Sequence, residues 1–304
     1  MAVTGRVVAV VGPTATGKSA LAIALARALG GEVVNADSMQ LYCGMDIGTA
    51  KVGPAERAAT PHHLLDIWPV TYPASVAEYQ QRARAVIDDL HGRGVVPILV
   101  GGSGLYVRAA LDRIEFPGTD AGLRTALEAE LAAVGSVALH GRLAQRDPAA
   151  AAAILPTNGR RIVRALEVVE LTGRPFTAAL PSYEAVYDVV QIGLDLDDAT
   201  LDQRVGQRVE RMFAAGLIDE VRALITAGLQ DGRTSSRALG YQQVLAMLAG
   251  SLTQADAVAA TALATRRFVR RQRSWFRRDP RIHWLDAGAA DLVSHATAVA
   301  SAEN

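Results

Sequence analysis

The chain has 304 residues, half of them hydrophobic, and equal numbers of basic and acidic side chains give it a formal net charge of zero. This length is sufficient for one large or two smaller domains with a full hydrophobic core. The single cysteine, Cys43, excludes an intramolecular disulfide and is typical of the reducing cytosol, so we expect a cytoplasmic location. No apolar run approaches the roughly 18 residues that cross a bilayer, and we expect no membrane partner.

The first predicted strand, Val7–Val11, leads directly into the sequence GPTATGKS at 12–19, and an Ala/Leu-rich helical segment follows at 18–29. The pattern G-x-x-x-x-G-K-S between a strand and a helix is typical of a phosphate-binding loop (P-loop). Glycines let the backbone approach an anion, which successive N–H groups and the helix N-terminus then face. Lys18 is expected to neutralise phosphate oxygens, and the Ser19 hydroxyl is the expected Mg²⁺ ligand. An ordinary glycine-rich turn is disfavoured because the strand before the loop, the loop sequence and the helix after it all match the context of a phosphate-binding loop.

Strand and helix patterns alternate over the first 110 residues. The next predicted elements are strands at Glu32–Asn35 and Val95–Val100 and helices at 75–91 and 103–112. Nearly continuous apolar strands that alternate with helices indicate a parallel sheet covered on both faces. Ligands of such sheets bind beyond the carboxyl ends of the strands, so we expect the loops at 12–19, 36–51 and 101–106 to gather at one edge.

Between about 118 and 182 the pattern changes to helices without obvious strands, punctuated by proline and glycine. We therefore predict a helical insertion domain at 118–182 and an α/β core formed by 1–117 and 183–304. The insertion's last helix is expected near 159–172. In the second part of the core, the predicted strands are Val186–Leu194 and Ile282–Leu285, and the predicted helices span roughly 200–214, 217–227, 237–249 and 253–278. The predicted fold class is α/β, with a P-loop NTPase-like parallel sheet, helices on both faces and a helical insertion.

A second polar loop, Asp37–Tyr42, follows the second predicted strand. Asp37 or Ser38 can cap a helix or turn there, with Gln40 as the reciprocal partner. Beside a phosphate loop, Asp37 can instead ligate Mg²⁺ or accept a proton from an acceptor substrate. The strand Val95–Val100 ends in two glycines rather than in the Asp-Glu pair of motor-like ATPases. This disfavours ordinary ATP hydrolysis and favours small-molecule group transfer.

Arginines dominate the last long predicted helix and the residues after it. They are Arg266, Arg267, Arg270, Arg271, Arg273, Arg277, Arg278 and Arg281, interleaved with Phe268, Trp275, Phe276 and Trp284. Acidic residues are absent from this segment until Asp279, so we expect nucleic-acid phosphates to relieve the repulsion, although a solvated charged face has the same pattern. A smaller cluster comprises Arg160, Arg161 and Arg164, and Arg237 precedes a Leu-Gly-Tyr-Gln motif.

With these motifs in view, the chain resembles the tRNA dimethylallyltransferase (tRNA isopentenyltransferase) family along nearly its whole length. The resemblance is carried by GPTATGKS at 12–19, NADSMQLY at 35–42, GMDIGTAK at 44–51, HHLLDI at 62–67, GGSGLY at 101–106, RRIVRALE at 160–167, LGYQQ at 239–243 and the arginine-rich helix from Thr265. Each motif alone is modest evidence, but their joint order is highly specific. Ser103 stands where members of the family usually carry threonine, and it retains the hydroxyl.

The resemblance implies transfer of a dimethylallyl group from its diphosphate to N6 of the adenosine 3′-adjacent to the anticodon, in tRNAs that read codons beginning with U. Backbone amides 14–19, Lys18 and Mg²⁺ would stabilise the departing diphosphate. We prefer Thr14 to Thr16 as the donor to the oxygen whose bond to carbon breaks. Asp37 is the expected base for the N6 proton, acting once the adenine has left its stack. The expected diphosphate-binding residues are Gly12, Pro13, Thr14, Ala15, Thr16, Gly17, Lys18, Ser19 and Arg208.

The resemblance also assigns residues to the substrate nucleotide and the surrounding tRNA. They are Asp37, Ser38, Met39, Gln40, Ser103, Arg124, Arg160, Arg161, Arg164, Arg237, Gly240, Tyr241, Arg270, Arg271, Arg273, Trp275 and Arg277. Arg208 and Arg211 are placed either against the diphosphate or at the wall of the channel. The expected partners are the anticodon stem-loop of tRNA and dimethylallyl diphosphate, and we expect a monomer.

Two other functions use the same loop. A nucleoside or small-metabolite kinase would bind ATP there and use Asp37 for Mg²⁺ or a substrate hydroxyl, but the arginine-rich helix and GGSGLY would have no evident task. An RNA-binding P-loop protein without enzymatic activity would not need Asp37. The neighbouring histidines His62 and His63 are expected to be structural or substrate-facing rather than metal ligands, and Lys51 is either a second cation near the edge or solvated.

Overall fold

The computed structural model describes residues 5–176 and 183–302 and divides into two compact units, one formed by Met1–Asp112 with Ala185–Asn304 and the other by Arg113–Glu184. The strands are β1 (Arg6–Val11), β2 (Gly31–Asn35), β3 (His62–His63), β4 (Val96–Gly101), β5 (Asp188–Asp195) and β6 (Ile282–Asp286). The helices are α1 (Lys18–Leu29), α2 (Pro54–Ala59), α3 (Val76–Gly92), α4 (Gly104–Leu111), α5 (Ala121–Arg146), α6 (Pro148–Ala153), α7 (Gly159–Thr172), α8 (Asp198–Ala214), α9 (Leu217–Thr226), α10 (Tyr241–Leu248), α11 (Gln254–Phe276) and α12 (Leu292–Ser301).

The strands form one sheet in the order β3-β2-β4-β1-β5-β6, and every strand pair is parallel. Val8 and Val10 of β1 pack with residues of α1 and α12. Because side chains alternate between the faces of a strand, Val7 and Val11 point the other way, and they too are fully buried. α3 and α4 pack against β4. The predicted α/β fold, with a parallel sheet and helices on both faces, is confirmed.

The segment predicted as one helix over 237–249 is interrupted. Ser235–Arg237 forms a 3-10 turn, Ala238 is extended, and Gly240 has a φ of 88° in the left-handed region, so α10 begins only at Tyr241. The sequence prediction also missed α2, β3 and α12. β3 has only two residues, too few for an apolar pattern to be visible, and it is held by pairing with β2.

The second unit is built from α5, α6 and α7. α5 is broken at Gly135, whose φ of 80° and ψ of 164° are not helical, so its two halves pack as separate segments. The apolar core of this unit includes Leu127, Leu143, Ile162 and Leu166. None of the helices in the described ranges combines the length and the apolar character needed to span a bilayer.

Candidate active site

Three loops meet at the carboxyl edge of the sheet, as predicted. The phosphate loop follows β1, the Asp37 loop follows β2, and the glycine-rich loop follows β4. The hydroxyl of Ser103 accepts the Ser38 N–H at 3.2 Å and lies 3.2 Å from the Ser38 hydroxyl. The β1 and β4 loops are joined by Gln272 of α11, which accepts the Thr14 N–H at 3.0 Å and donates to the Gly102 carbonyl at 2.8 Å.

The phosphate loop is held by its own carbonyl groups and by the neighbouring strand. Gly12 has a φ of 131°, and a Cβ there would lie 2.4 Å from the Leu194 carbonyl oxygen, so only glycine fits. The Thr16 hydroxyl, which is buried, donates to the Pro13 carbonyl at 2.9 Å. The Lys18 ammonium donates to the same carbonyl at 2.6 Å. The Thr14 N–H is engaged by Gln272, which corrects the expectation that all amides from 14 to 19 face the ligand.

The charges of Arg208 and Asp37 act on Lys18 beside this loop, and the charge of Asp37 also acts on Arg208. Burial and the positive charge of Arg208 lower the pKa of Lys18 to about 7, while the negative charge of Asp37 opposes that shift. Burial also lowers the pKa of Arg208, and Asp37 again acts in the opposite direction. The structure therefore brings Lys18, Arg208 and Asp37 together, although Arg208 comes from α8, far along the chain.

Asp37 is held in a tight turn after β2. Its N–H donates to the Asn35 side-chain oxygen at 2.9 Å, and its Oδ1 accepts the Met39 N–H at 2.9 Å. Burial raises the pKa of Tyr79 and of Tyr106, and the charge of Asp37 adds to both shifts. The Asp37 carboxylate thus stabilises its own turn, and it lies close to the phenols of the buried Tyr79 and the half-buried Tyr106.

The GMDIGTAK loop is fastened by a residue that the sequence did not single out. The Glu220 carboxylate accepts the N–H groups of Asp46 at 3.1 Å, Ile47 at 2.7 Å and Gly48 at 3.3 Å, together with the Tyr241 hydroxyl at 2.6 Å. No local pattern in the chain marks Glu220 for this role. At the end of the same loop, the Thr49 carbonyl accepts from Gln40 at 3.2 Å and from Arg208 at 3.3 Å.

Gly240 and Tyr241, expected at the tRNA surface, are both buried. Tyr241 is fully covered, and a Cβ at Gly48 would lie 2.4 Å from its ring. In this structure Tyr241 supports the GMDIGTAK loop, and direct contact of either residue with tRNA stays a prediction.

Lys51, left open as a second cation near the edge or a solvated side chain, is not solvated. Its side chain is fully buried, and the ammonium donates to Asp46 at 2.7 Å, to Asp66 at 2.5 Å and to the Tyr42 carbonyl at 2.8 Å. The histidines are structural as well: His63 lies 2.6 Å from a Glu32 oxygen, and His62 lies 2.7 Å from the Thr60 carbonyl.

The arginines of α11 differ in their surroundings. Acidic partners, absent from the local sequence, come from the end of β5 and the start of α8. Arg273 is 12% exposed and is paired with Asp195 and Asp198, and Arg277 is 3.1 Å from Asp195. Arg270 is 70% exposed and lies 4.0 Å from Asp202. The guanidinium of the exposed Arg271 lies 5.7 Å from the centre of the Phe268 ring. The expectation that this segment lacks acidic partners is therefore wrong for Arg273 and Arg277, and Asp202 also lies within 4.0 Å of Arg266 and Arg270.

The second unit also pairs some of its predicted tRNA-binding arginines. Arg124 and Arg164 both bind the buried Glu167 carboxylate, and Arg164 also donates to the carbonyls of Pro117 and Gly118. These two ion pairs stabilise the packing of the start of α5 against α7. Arg160 and Arg161 are exposed, as is Arg237 in the first unit.

Gln272 was also missed, although the sequence held a signal for it. It is the one polar member of the α11 row Val269, Gln272 and Phe276, all three buried. A polar residue among apolar ones at helical spacing indicates a buried hydrogen-bonding role.

Comparison with known proteins agrees with this arrangement. A family model described as IPP transferase matches residues 40–279. The tRNA dimethylallyltransferase of Salinispora arenicola is 69% identical over 292 residues, covering 96% of this chain and 85% of that protein. The protein of the same name from Streptomyces coelicolor is 67% identical over 286 residues, covering 94% of this chain and 92% of that protein.

Solved structures give the same result. The full-length tRNA isopentenylpyrophosphate transferase of Bacillus halodurans is 40% identical and matches with a TM-score of 0.72, covering 97% of this chain and 94% of that one. A eukaryotic dimethylallyltransferase, solved acting on tRNA, is 25% identical with a TM-score of 0.78, covering 97% and 78% of the two chains. The resemblance found in the sequence is confirmed: the chain belongs to the IPP transferase family.

Proposed function

We propose that the protein is a tRNA dimethylallyltransferase, which moves the five-carbon group of dimethylallyl diphosphate onto N6 of the adenosine 3′-adjacent to the anticodon. Its substrates are tRNAs that read codons beginning with U. The observation that carries the proposal is the meeting of the phosphate loop, the Asp37 loop and the Ser103 loop at one edge of the sheet. Lys18 and Arg208 lie near enough to Asp37 for its charge to act on both. The two cations suit a leaving diphosphate, and the carboxylate suits an acceptor that must lose a proton. Family membership favours this reaction over the kinase alternative.

On the diphosphate side, the loop amides beyond Thr14, together with Lys18 and Arg208, stabilise negative charge as the bond between carbon and oxygen breaks. Thr14 is the donor to the bridging oxygen. This choice is supported by the Thr16 hydroxyl, which is buried and already donates to the Pro13 carbonyl. The electron pair of the broken bond leaves with the diphosphate.

On the acceptor side, N6 of the extruded adenine attacks the first carbon of the dimethylallyl group, and Asp37 takes the N6 proton as the new bond forms. Ser38, Met39, Gln40 and Ser103 hold the nucleotide. The Ser38–Ser103 hydrogen bonds support this assignment because they join the two loops on which these residues lie.

Ser19 is the residue that suits Mg²⁺. It is exposed in the first turn of α1, and Mg²⁺ bound with substrate phosphates takes few ligands from the protein and the rest from phosphate oxygens and water. Within the described ranges, no group of three or more His, Cys, Asp or Glu side chains is arranged as a metal site, so a bound diphosphate has to complete the site. When bound, Mg²⁺ adds positive charge next to the leaving group.

The tRNA backbone is bound by the more exposed arginines of each unit. They are Arg160 and Arg161 in the second unit and Arg237, Arg270, Arg271 and Arg277 in the first, where Trp275 belongs to the same helix as Arg270 and Arg271. Their exposure supports this, because phosphate contacts need accessible cations. Arg124, Arg164 and Arg273 contribute to tRNA binding indirectly, by stabilising the segments that their ion pairs join. We further propose that the protein acts as a monomer in the cytoplasm.

A single assay tests the function. Purified protein is incubated with unmodified tRNA and either dimethylallyl diphosphate labelled in its carbon chain or ATP labelled in its γ-phosphate. We expect label in tRNA from the diphosphate alone, and none when the adenosine next to the anticodon is replaced by guanosine. Phosphate transfer from ATP would instead identify a kinase, and tight tRNA binding without transfer would identify a binding protein.

A further inference from the structure

Gln272 makes two hydrogen bonds that fix both ends of its amide. The side chain is 6% exposed, its Oε1 accepts the Thr14 N–H at 3.0 Å, and its Nε2 donates to the Gly102 carbonyl at 2.8 Å. A flipped amide would oppose donor to donor and acceptor to acceptor, so only one orientation satisfies the site. The loops it joins are remote in sequence and follow different strands.

The contact on the Gly102 side is closely fitted. A Cβ at Gly102 would lie 2.2 Å from the Gln272 Nε2 atom, and a Cβ at Gly104 would lie 2.1 Å from the Trp275 ring. The two glycines thus allow α11 to approach the loop after β4. Gln272 and Trp275 lie three positions apart, so they project from neighbouring positions of one helix surface.

These bonds form part of a path across the site. Thr14, the proposed donor to the leaving oxygen, is bound to Gln272 through its main chain. On the other side, Gly102 precedes Ser103, whose hydroxyl bonds Ser38, the neighbour of the proposed base Asp37. One buried amide therefore lies between the part of the site that holds the diphosphate and the part that holds the adenine.

We infer that Gln272 is a positioning residue for prenyl transfer, setting the separation between the phosphate loop and the loops that present the acceptor. The inference rests on the proposed function. Two reactants held in a near-attack arrangement react far faster than loosely held ones, and a misplacement of about 1 Å costs on the order of 10²-fold. Both polar atoms of the Gln272 amide are already bonded to main-chain groups, so we expect its loss to lower turnover more than it lowers binding.

The test compares Gln272→Met, which keeps the length and removes both hydrogen bonds, with Gln254→Met, an exposed glutamine on the same helix. We expect Gln272→Met to lower kcat on the order of 10²-fold, with KM for dimethylallyl diphosphate and Kd for tRNA within about threefold of wild type. Gln254→Met should match wild type. Circular dichroism measures the folded fraction of each variant, and kcat is expressed per folded molecule.

Gln272→Glu provides a second readout. A protonated glutamate repeats both hydrogen bonds, whereas an ionised one cannot donate to the Gly102 carbonyl. The kcat of this variant relative to wild type should therefore rise as the pH falls from 8 to 6. A normal kcat in Gln272→Met, or, should that variant not fold, a pH-independent ratio in folded Gln272→Glu, would overturn the inference. Absence of prenyl transfer by wild type would refute the proposed function instead.

Discussion

Replacing Glu220 by alanine should destabilise the protein more than any exposed ion-pair substitution. The carboxylate is the common acceptor for three successive loop N–H groups and for the Tyr241 hydroxyl. Alanine leaves that hydroxyl without its partner in a residue that is fully buried, and it releases the loop that ends at the Arg208 contact with Thr49.

The magnitude follows from these contacts. An unsatisfied buried hydroxyl costs about 1–3 kcal/mol. The short bond from the Ile47 N–H, at 2.7 Å, is charge-assisted, and the loss of the loop bonds adds on the order of 1 kcal/mol because water replaces the carboxylate at the more exposed end. We expect Glu220→Ala to lower the free energy of unfolding by about 2–4 kcal/mol.

Urea unfolding followed by circular dichroism measures this loss, and Asp219→Ala is the matched control. Asp219 is the neighbouring acid, with a side chain 79% exposed and paired only with Arg222 among the contacts described, so its removal should cost less than about 1 kcal/mol. A double-mutant cycle with Tyr241→Phe should give a coupling on the order of 1–2 kcal/mol. Equal stability of Glu220→Ala and wild type, or zero coupling, would refute the reasoning.

Three further predictions concern the chemistry and the tRNA surface. Asp37→Ala should lower single-turnover rates by about 10²–10⁴-fold while filter-binding Kd for tRNA changes little; a near-normal rate would remove Asp37 from the role of base. Because the pKa of Lys18 is about 7 in the free protein and a bound anion favours the charged amine, pyrophosphate binding should take up a proton above pH 7. The affinity of wild type for pyrophosphate, divided by that of Lys18→Arg, should therefore fall as the pH rises from 7 to 9. Calorimetry in buffers of different ionisation enthalpy measures both the affinities and the proton uptake. A constant affinity ratio without proton uptake would contradict this prediction. Arg271→Ala should reduce the slope of log K for tRNA binding against log salt concentration by about one. Arg273→Ala should chiefly lower the melting temperature, because it leaves Asp195 and Asp198 without this arginine. The reverse pattern would contradict the division between tRNA-binding and structural arginines.

Local sequence patterns were sufficient to predict most of the strands and helices of the α/β core. The apolar strand before Gly12, the glycine and lysine spacing of the loop and the helix after it depend on neighbouring residues, so they can be read along the chain. The alternation of strands and helices likewise predicted a parallel sheet and, with it, the common edge at which the three loops meet. The break before α10 was not predicted, because it depends on Gly240 taking a left-handed conformation inside an otherwise helical pattern.

The hydrogen-bond and ion-pair partners of the charged and amide side chains could not be predicted from the sequence. The local sequence offers the arginines of α11 no acidic partner, yet Asp195 reaches Arg273 from the end of β5, 78 positions away. Glu220 binds the Ile47 amide across 173 positions, and Gln272 binds the Thr14 amide across 258. Repeating local patterns specify strands, helices and the loop that faces an anion. Which groups then share a hydrogen bond is decided by how those elements pack, since a bond of about 3 Å requires two remote segments to be placed together.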